Sequence, residues 1–144
     1  MTPTLHDKDY AFWLEQQTNL LKTGCLAELD IEHLVEELEH KLGSERREIY
    51  QSLRVIIIHL LKWKYQPEQR LGSWEGTIRV QRQDLHKLFK DSPSLKRFMV
   101  PEAVEAYADA VELFCYEMKI PESTFPAERP FSIENILDKN FWPD

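Results

Sequence analysis

His59 is the residue whose surroundings point most directly to chemistry, because it interrupts the densest apolar run of the chain, Val55 to Leu61. An imidazole in such a run can act as a general base, a metal ligand or a structural hydrogen-bonding group. Glu45 shares one edge of a helix with His59, but a straight helix separates the two by about 21 Å. They cannot hold one ion together. An enzyme or metal-binding protein built on His59 therefore needs carboxylates from other helices, with Glu45 as a further catalytic candidate.

We expect His59 to be largely buried at a seam between two helices. A buried polar group without a partner costs about 1–3 kcal/mol, so one ring nitrogen should bond a side chain of another helix. Trp63 follows one helical turn later and should pack over the same seam. We favour this structural role over a catalytic one. Glu45 also has a structural alternative, namely an ion pair with Arg79 or Arg82.

A second pattern has the spacing of metal ligands. Glu37 and His40 form Glu-x-x-His, which di-metal helical bundles use twice together with further glutamates. The sequence holds no second Glu-x-x-His. His33, Glu36 and His40 also point away from the apolar register of their helix, so an exposed acidic face explains them. Glu37 and His40 are secondary candidates, and we expect no metal and no cofactor.

The stretch from Lys62 to Lys90 is locally basic, with seven Lys and Arg against three Asp and Glu. Aromatic side chains lie between these cations, as in surfaces that bind single-stranded nucleic acid or other anions. The alternative is that the stretch neutralises an acidic neighbouring helix, and we favour it. The residues of a candidate ligand or partner surface are Lys62, Trp63, Trp74, Arg79 and Arg82.

The helix that carries His59 is predicted to be long. It begins at Ile31 after the N-cap Asp30 and ends near Tyr65, because Pro67 cannot continue it. A glycine at Gly43 costs a helix about 1 kcal/mol, which does not stop it. The apolar register also continues across that glycine at about 100° per residue. We expect this register to face the core, and its members are Leu38, Leu42, Ile49, Leu53, Ile56 and Leu60.

The other elements are also predicted to be helical. The first helix should run from Asp7 or Asp9 to about Thr23, with Gly24 as its C-cap. A third should begin at the cap Ser73 and reach about residue 89. The fourth should have Pro101 in its first turn, and Ser132 should cap a short last helix. The apolar stripe of the fourth helix is predicted as Val104, Tyr107, Ala108, Val111, Phe114, Cys115 and Met118.

Length and composition favour one all-α domain over residues 1–144, a helical bundle around the long second helix. The core bundle should cover 7–119, and an extended tail of 120–144 should pack on it or on a second subunit. A net charge of −7 disfavours nucleic-acid binding. No apolar run approaches the roughly 20 residues that span a bilayer, and the polar N-terminus is unlike a signal peptide. Two cysteines without a CxxC motif indicate reduced, cytoplasmic thiols.

The chain resembles domain-of-unknown-function family 29. The resemblance rests on the runs 30–39, 43–47 and 59–63, and it continues through Gln66-Pro67-Glu68, Ser73-Trp74, 77–79, 92–96 and Phe125-Pro126. It implies a bacterial, often cyanobacterial, all-helical cytosolic protein. It brings no activity, substrate or catalytic residue.

From this sequence we expect a non-enzymatic protein-interaction or regulatory module that binds a protein partner or another copy of itself. Tryptophan and arginine in the candidate surface are the residue types that dominate interface energetics. The first alternative is the enzyme or metal-binding protein that uses His59. The second is a protein that binds nucleic acid or another anion through residues 62–90. We expect no membrane partner.

Overall fold

Residues 2–144, which the computed structural model describes, form six α-helices and no strand, so the predicted all-α class is confirmed. The chain divides into two compact units, Met1–Gly43 (the N-terminal unit) and Ser44–Asp144 (the C-terminal unit). The helices are α1 (Leu5–Lys8), α2 (Tyr10–Lys22), α3 (Ile31–Tyr65), α4 (Gly72–Asp91), α5 (Met99–Met118) and α6 (Ile133–Leu137).

The first two helices are defined by their caps. The side chain of Asp9 accepts a hydrogen bond from the backbone of Phe12 and so begins α2. At the other end, Gly24 adopts a positive φ of 73°, which a glycine tolerates without steric cost. The backbone N–H groups of Gly24 and Cys25 then bond carbonyls of the last turn, as in a Schellman motif. The predicted stop at Gly24 is confirmed.

Helix α3 runs unbroken for 35 residues through Gly43, as predicted. Asp30 caps it, since its carboxylate accepts from the backbone of His33. The apolar register is buried from Ile49 onward, but Leu38 and Leu42 are exposed. We had assigned all of the register to the core, and that assignment is wrong for these first two leucines.

Helices α4 and α5 begin earlier than predicted. Helix α4 starts at Gly72, and no side chain caps it, so Ser73 is not its N-cap. Helix α5 starts at Met99, two residues before Pro101. Its buried face includes the fully covered alanines 103, 106 and 110, and the predicted Val104 is exposed. Small residues on this face allow neighbouring elements to approach α5 closely. The periodicity of apolar residues had instead predicted that larger side chains, such as Val104, face the core.

The tail after residue 119 packs against the helices of the C-terminal unit. Phe125 makes edge-to-face contacts with Phe114 and Tyr65. The Tyr107 hydroxyl donates to the carbonyl of Pro126 at 2.8 Å. Ser132 caps α6, as predicted. The tail side chains that belong to or border the core are Ile120, Phe125, Phe131, Ile133, Ile136, Leu137, Phe141 and Trp142.

None of the helices within residues 2–144 has both the length and the apolar character that crossing a bilayer requires.

Candidate functional site

The first third of α3 presents four apolar side chains to solvent. Ile31, Val35, Leu38 and Leu42 are 62%, 46%, 72% and 47% exposed. Their spacings of four, three and four residues place them on one helix face, the pattern by which two helices pack along a seam. We call these four residues the α3 strip. Contiguous exposed apolar residues rimmed by polar ones are typical of interaction sites.

Carboxylates border the α3 strip on one side. Glu32, Glu36 and Glu39 each follow a strip residue by one position, which turns them about 100° around the helix from it. All three are exposed. From residue 28 to residue 43 the chain has six acidic side chains and one lysine. The α3 strip is therefore an apolar seam with an acidic edge.

The other side of the α3 strip is occupied by contacts to α2. Asp30 accepts from the indole N–H of Trp13 at 3.0 Å, and its own backbone N–H donates to the Gln17 side chain at 2.8 Å. Glu37 accepts from the Tyr10 hydroxyl at 2.6 Å. Burial raises the pKa of Asp30, and bonds from His33 and Trp13 outweigh it, so the pKa is lowered overall. Polar bonds therefore fix α2 on α3.

The predicted Glu-x-x-His pair does not form a unit of its own. Glu37 accepts hydrogen bonds from Tyr10 and from His6, and these bonds lower its pKa. His40 is exposed one turn later. Glu37 therefore has a role inside the N-terminal unit that the Glu-x-x-His spacing did not predict.

His59 is half-buried, and its hydrogen bond stays within its own helix. The ring Nδ1 donates to the Val55 carbonyl oxygen at 2.8 Å, where we had expected a side chain of another helix. Burial lowers the pKa of His59 below its usual value, and the bond to Val55 opposes that shift. Lys62 and Glu117 are the charged groups that influence the pKa. The structure brings no pair of carboxylates to His59 among residues 2–144.

Lys62 and Trp63 contact other parts of the C-terminal unit. Lys62 lies 3.7 Å from a Glu117 carboxylate oxygen. The centroids of the Trp63 and Trp142 rings lie 4.7 Å apart. The Arg70 guanidinium also lies over the Trp63 ring, 4.7 Å from its centroid. Trp63 thus packs against the tail. Glu45 is half-buried on α3, and Trp74 is half-buried on α4.

Arg82, which we predicted for the ligand or partner surface, is buried, with 1% of its surface exposed. Its Nε donates to the Ile136 carbonyl at 2.7 Å, and its Nη2 donates to the carbonyls of Asn135 and Phe141 at 3.2 and 3.1 Å. Burial lowers its pKa, and Asp138 opposes that shift. The sequence contained a signal for this role, because Arg82 falls in the inward register of Ile78, Leu85 and Phe89.

Arg79 is exposed and lines a groove of cationic side chains between α4 and the tail. The groove also contains one carboxylate, that of Asp84. His86, on the same helix, donates to the Leu137 carbonyl at 2.8 Å. We call this feature the basic groove. Its cationic lining is Arg79, Arg82, Lys87, Lys90 and Lys139.

The fold and these surfaces define an all-helical protein with an acidic-edged apolar seam and a separate basic groove. The chain belongs to the family described as domain of unknown function DUF29, which it matches over residues 5–142. This confirms the resemblance read from the sequence. No curated protein and no solved structure matches the chain.

Proposed function

We propose that this protein is a non-enzymatic interaction module whose α3 strip binds an amphipathic helix of a partner protein. The observation that carries the proposal is the exposure of four apolar residues at seam spacing on one face of α3. Binding of an apolar helix face to another is a recurrent recognition mode, read from anchors at such spacings. The burial of Leu38, the most exposed of the four, would supply the central contact.

The acidic edge selects the kind of partner. Glu32, Glu36 and Glu39 complement a helix whose apolar stripe is flanked by lysine or arginine. A second copy packed antiparallel would bring Glu32 near Glu39 of the other chain, and like charges disfavour that pairing. The proposed partner is therefore a basic amphipathic helix rather than another copy of this chain. The same acidic character argues against nucleic acid as the partner.

The enzyme alternative has less support. It depends on His59, whose described bond is to a single backbone carbonyl of its own helix. An imidazole with a lowered pKa and a backbone partner is consistent with a structural role. We also propose a bacterial cytoplasmic location, where Cys25 and Cys115 would remain reduced thiols.

A pair of designed peptides tests the proposed binding. One is an amphipathic helix with a leucine stripe flanked by lysine, and the other has glutamate in place of each lysine. We expect fluorescence anisotropy to show at least tenfold tighter binding of the lysine peptide. Leu38→Glu should weaken that binding at least tenfold, because a charge would enter the apolar seam. Val80→Glu is the matched control, since Val80 is also exposed but lies on α4.

Equal affinity for the two peptides, or equal effects of Leu38→Glu and Val80→Glu, would reject the proposal. A stable dimer in light scattering that Leu38→Glu dissociates would also reject it, because the occupant would then be a second copy.

The basic groove supports a second candidate function, the binding of an anionic ligand. The specific observation is that Arg79, Lys87, Lys90 and Lys139 line one groove beside a single carboxylate. Retention on heparin at low salt should fall with Lys87→Glu and stay unchanged with Lys96→Glu, which alters an exposed lysine outside the groove. Flow-through of the unaltered protein at low salt would exclude this function.

A further inference from the structure

Two histidines from different helices stack on each other in the N-terminal unit. His6 lies on α1 and His33 on α3, and their ring centroids are 4.2 Å apart with an interplanar angle of 13°. Asp7 is next to His6, with 3.6 Å between its Oδ1 and Nδ1 of His6. One ligand atom from each of the three residues lies within 4.8 Å of the others. The sequence separates the two histidines by 27 positions, so spacing did not reveal them.

Each imidazole is held by a carboxylate through one nitrogen. Nδ1 of His33 donates to Asp30 at 2.7 Å, and Nε2 of His6 donates to Glu37 at 2.8 Å. A carboxylate that accepts from one ring nitrogen fixes the tautomer and raises the basicity of the other, as around metal-bound histidines. The nitrogens that remain are Nε2 of His33 and Nδ1 of His6.

The two supporting carboxylates are fixed in turn. Trp13 donates its indole N–H to Asp30, and Tyr10 donates its hydroxyl to Glu37. Each imidazole is therefore bonded to a carboxylate, and that carboxylate is itself held by a hydrogen bond from an aromatic side chain of α2. These bonds fix the tautomer of each imidazole, so that one nitrogen of each ring keeps a free lone pair for an ion.

The Nδ1 atom of His6 lacks a hydrogen-bond partner although the atom is buried. Leaving a buried polar atom unpaired is unfavourable, because the atom has lost its hydrogen bond to water. A coordinated cation would use the lone pair that this nitrogen carries when Nε2 holds the proton. The missing hydrogen bond at Nδ1 of His6 is thus a second observation beside the closeness of the three residues.

We propose that His6, His33 and Asp7 bind one divalent transition-metal ion of the zinc, nickel and copper class. Two imidazole nitrogens and one carboxylate oxygen suit these ions, whereas magnesium and calcium prefer oxygen ligands alone. The remaining positions would hold water. The ligands of a four-coordinate zinc ion lie about 3.3 Å apart, and the ion lies in the plane of each imidazole that binds it. The ion would therefore draw the three atoms closer and turn the two rings out of their parallel stack. Binding would therefore tighten α1 against α3.

Zinc titration of the untagged full-length protein tests this proposal. After removal of metal with EDTA, isothermal calorimetry at pH 7.5 should give one Zn²⁺ per chain, and Mg²⁺ should give no binding. Asp7→Asn should weaken zinc binding at least tenfold. Asp9→Asn is the control, because it removes the same charge two residues away and asparagine also caps a helix. No zinc binding, or equal affinity of these two variants, would overturn the proposal.

Histidine resonances of the unaltered protein give a second readout. Zinc should shift the Cε1 protons of His6 and His33 and leave those of His40 and His86 in place. His33→Gln should abolish the shift at His6. Shifts confined to His40 or His86, or an unchanged His6 response in His33→Gln, would refute the site.

Discussion

The two units of this chain are stabilised by different kinds of contact. The C-terminal unit encloses a continuous apolar core, in which Ile56, Ile57 and Leu60 have no exposed surface. In residues 2–43 the buried side chains are Trp13 and Gln17. A segment that short cannot bury enough apolar surface to fold by that alone. It uses directional bonds to Asp30 and Glu37 instead. Changes of charge and pH should therefore affect the stability of the N-terminal unit, and cavities should affect that of the C-terminal unit.

The largest expected effect is a cavity in the C-terminal core. Phe114→Ala should lower the free energy of unfolding by about 3–5 kcal/mol, because it removes a buried ring that also contacts Phe125. Chemical denaturation measures the change. Val104→Ala is the control on the exposed face of α5 and should cost well under 1 kcal/mol. Similar losses for the two variants would contradict the assignment of the core.

Arg82 offers the next effect. Arg82→Met keeps an apolar stem but leaves the carbonyls of Ile136, Asn135 and Phe141 without their donor. The free energy of unfolding should fall by about 2–3 kcal/mol, and amides of the tail should exchange faster. Arg79→Met, a change of the exposed arginine one turn away, should leave both quantities unchanged. Unaltered exchange in the tail of Arg82→Met would show that side-chain packing alone holds it.

A smaller effect is expected in the N-terminal unit. Trp13→Phe preserves most of the ring but removes the N–H that donates to Asp30, which should cost about 1 kcal/mol. Hydrogen exchange of the α2 amides measures this local loss. Leu14→Ala is the control, because Leu14 is exposed on the same helix. Faster exchange in the control than in Trp13→Phe would mean that apolar contact, not the bond to Asp30, holds α2.

The smallest expected effect is a difference between the two units in how their stability depends on pH. The bond to Asp30 raises the pKa of His33, and burial lowers the pKa of His59. His33 therefore stabilises its unit below its unfolded pKa of about 6.5 and loses that contribution as pH rises through its higher folded pKa. For His59, stability is fully present above about pH 6.5 and falls as pH drops toward its lower folded pKa.

A proton NMR titration of the Cε1 resonances checks this contrast. The midpoint of His33 should lie above the ordinary histidine pKa of about 6.5, and the midpoint of His59 should lie below it. The reverse order would break the comparison between the two units.

Sequence patterns predicted the elements of this fold better than they predicted its surfaces. An apolar register crossed Gly43, so α3 was predicted to be continuous, and a glycine at position 24 marked a stop. Periodicity identifies which face of a helix is apolar, but it cannot tell whether another element covers that face. Leu38 and Leu42 were therefore assigned to the core, although they form part of the α3 strip.

Contacts between distant segments left even less trace in the sequence. The stacking of His6 on His33 depends on how α1 meets α3, and neither residue stands out in its own helix. Arg82 did have a local signal, since it occupies an inward position of α4, but its acceptors are backbone atoms of the tail. Every residue has a carbonyl, so no sequence pattern could indicate which three Arg82 would bond.

That choice of acceptors bears on how the tail can evolve. Arg82 recognises the path of the main chain, and substitutions at Asn135 or Phe141 leave a carbonyl in the same place. The side chains of this segment that are exposed, such as Glu134 and Asn140, can therefore vary while its course is retained. A segment that is bound through its backbone can also be replaced by the same segment of another molecule. An exchange of tails between two molecules would use the same three carbonyl acceptors of Arg82, so it would need no new side-chain contact there.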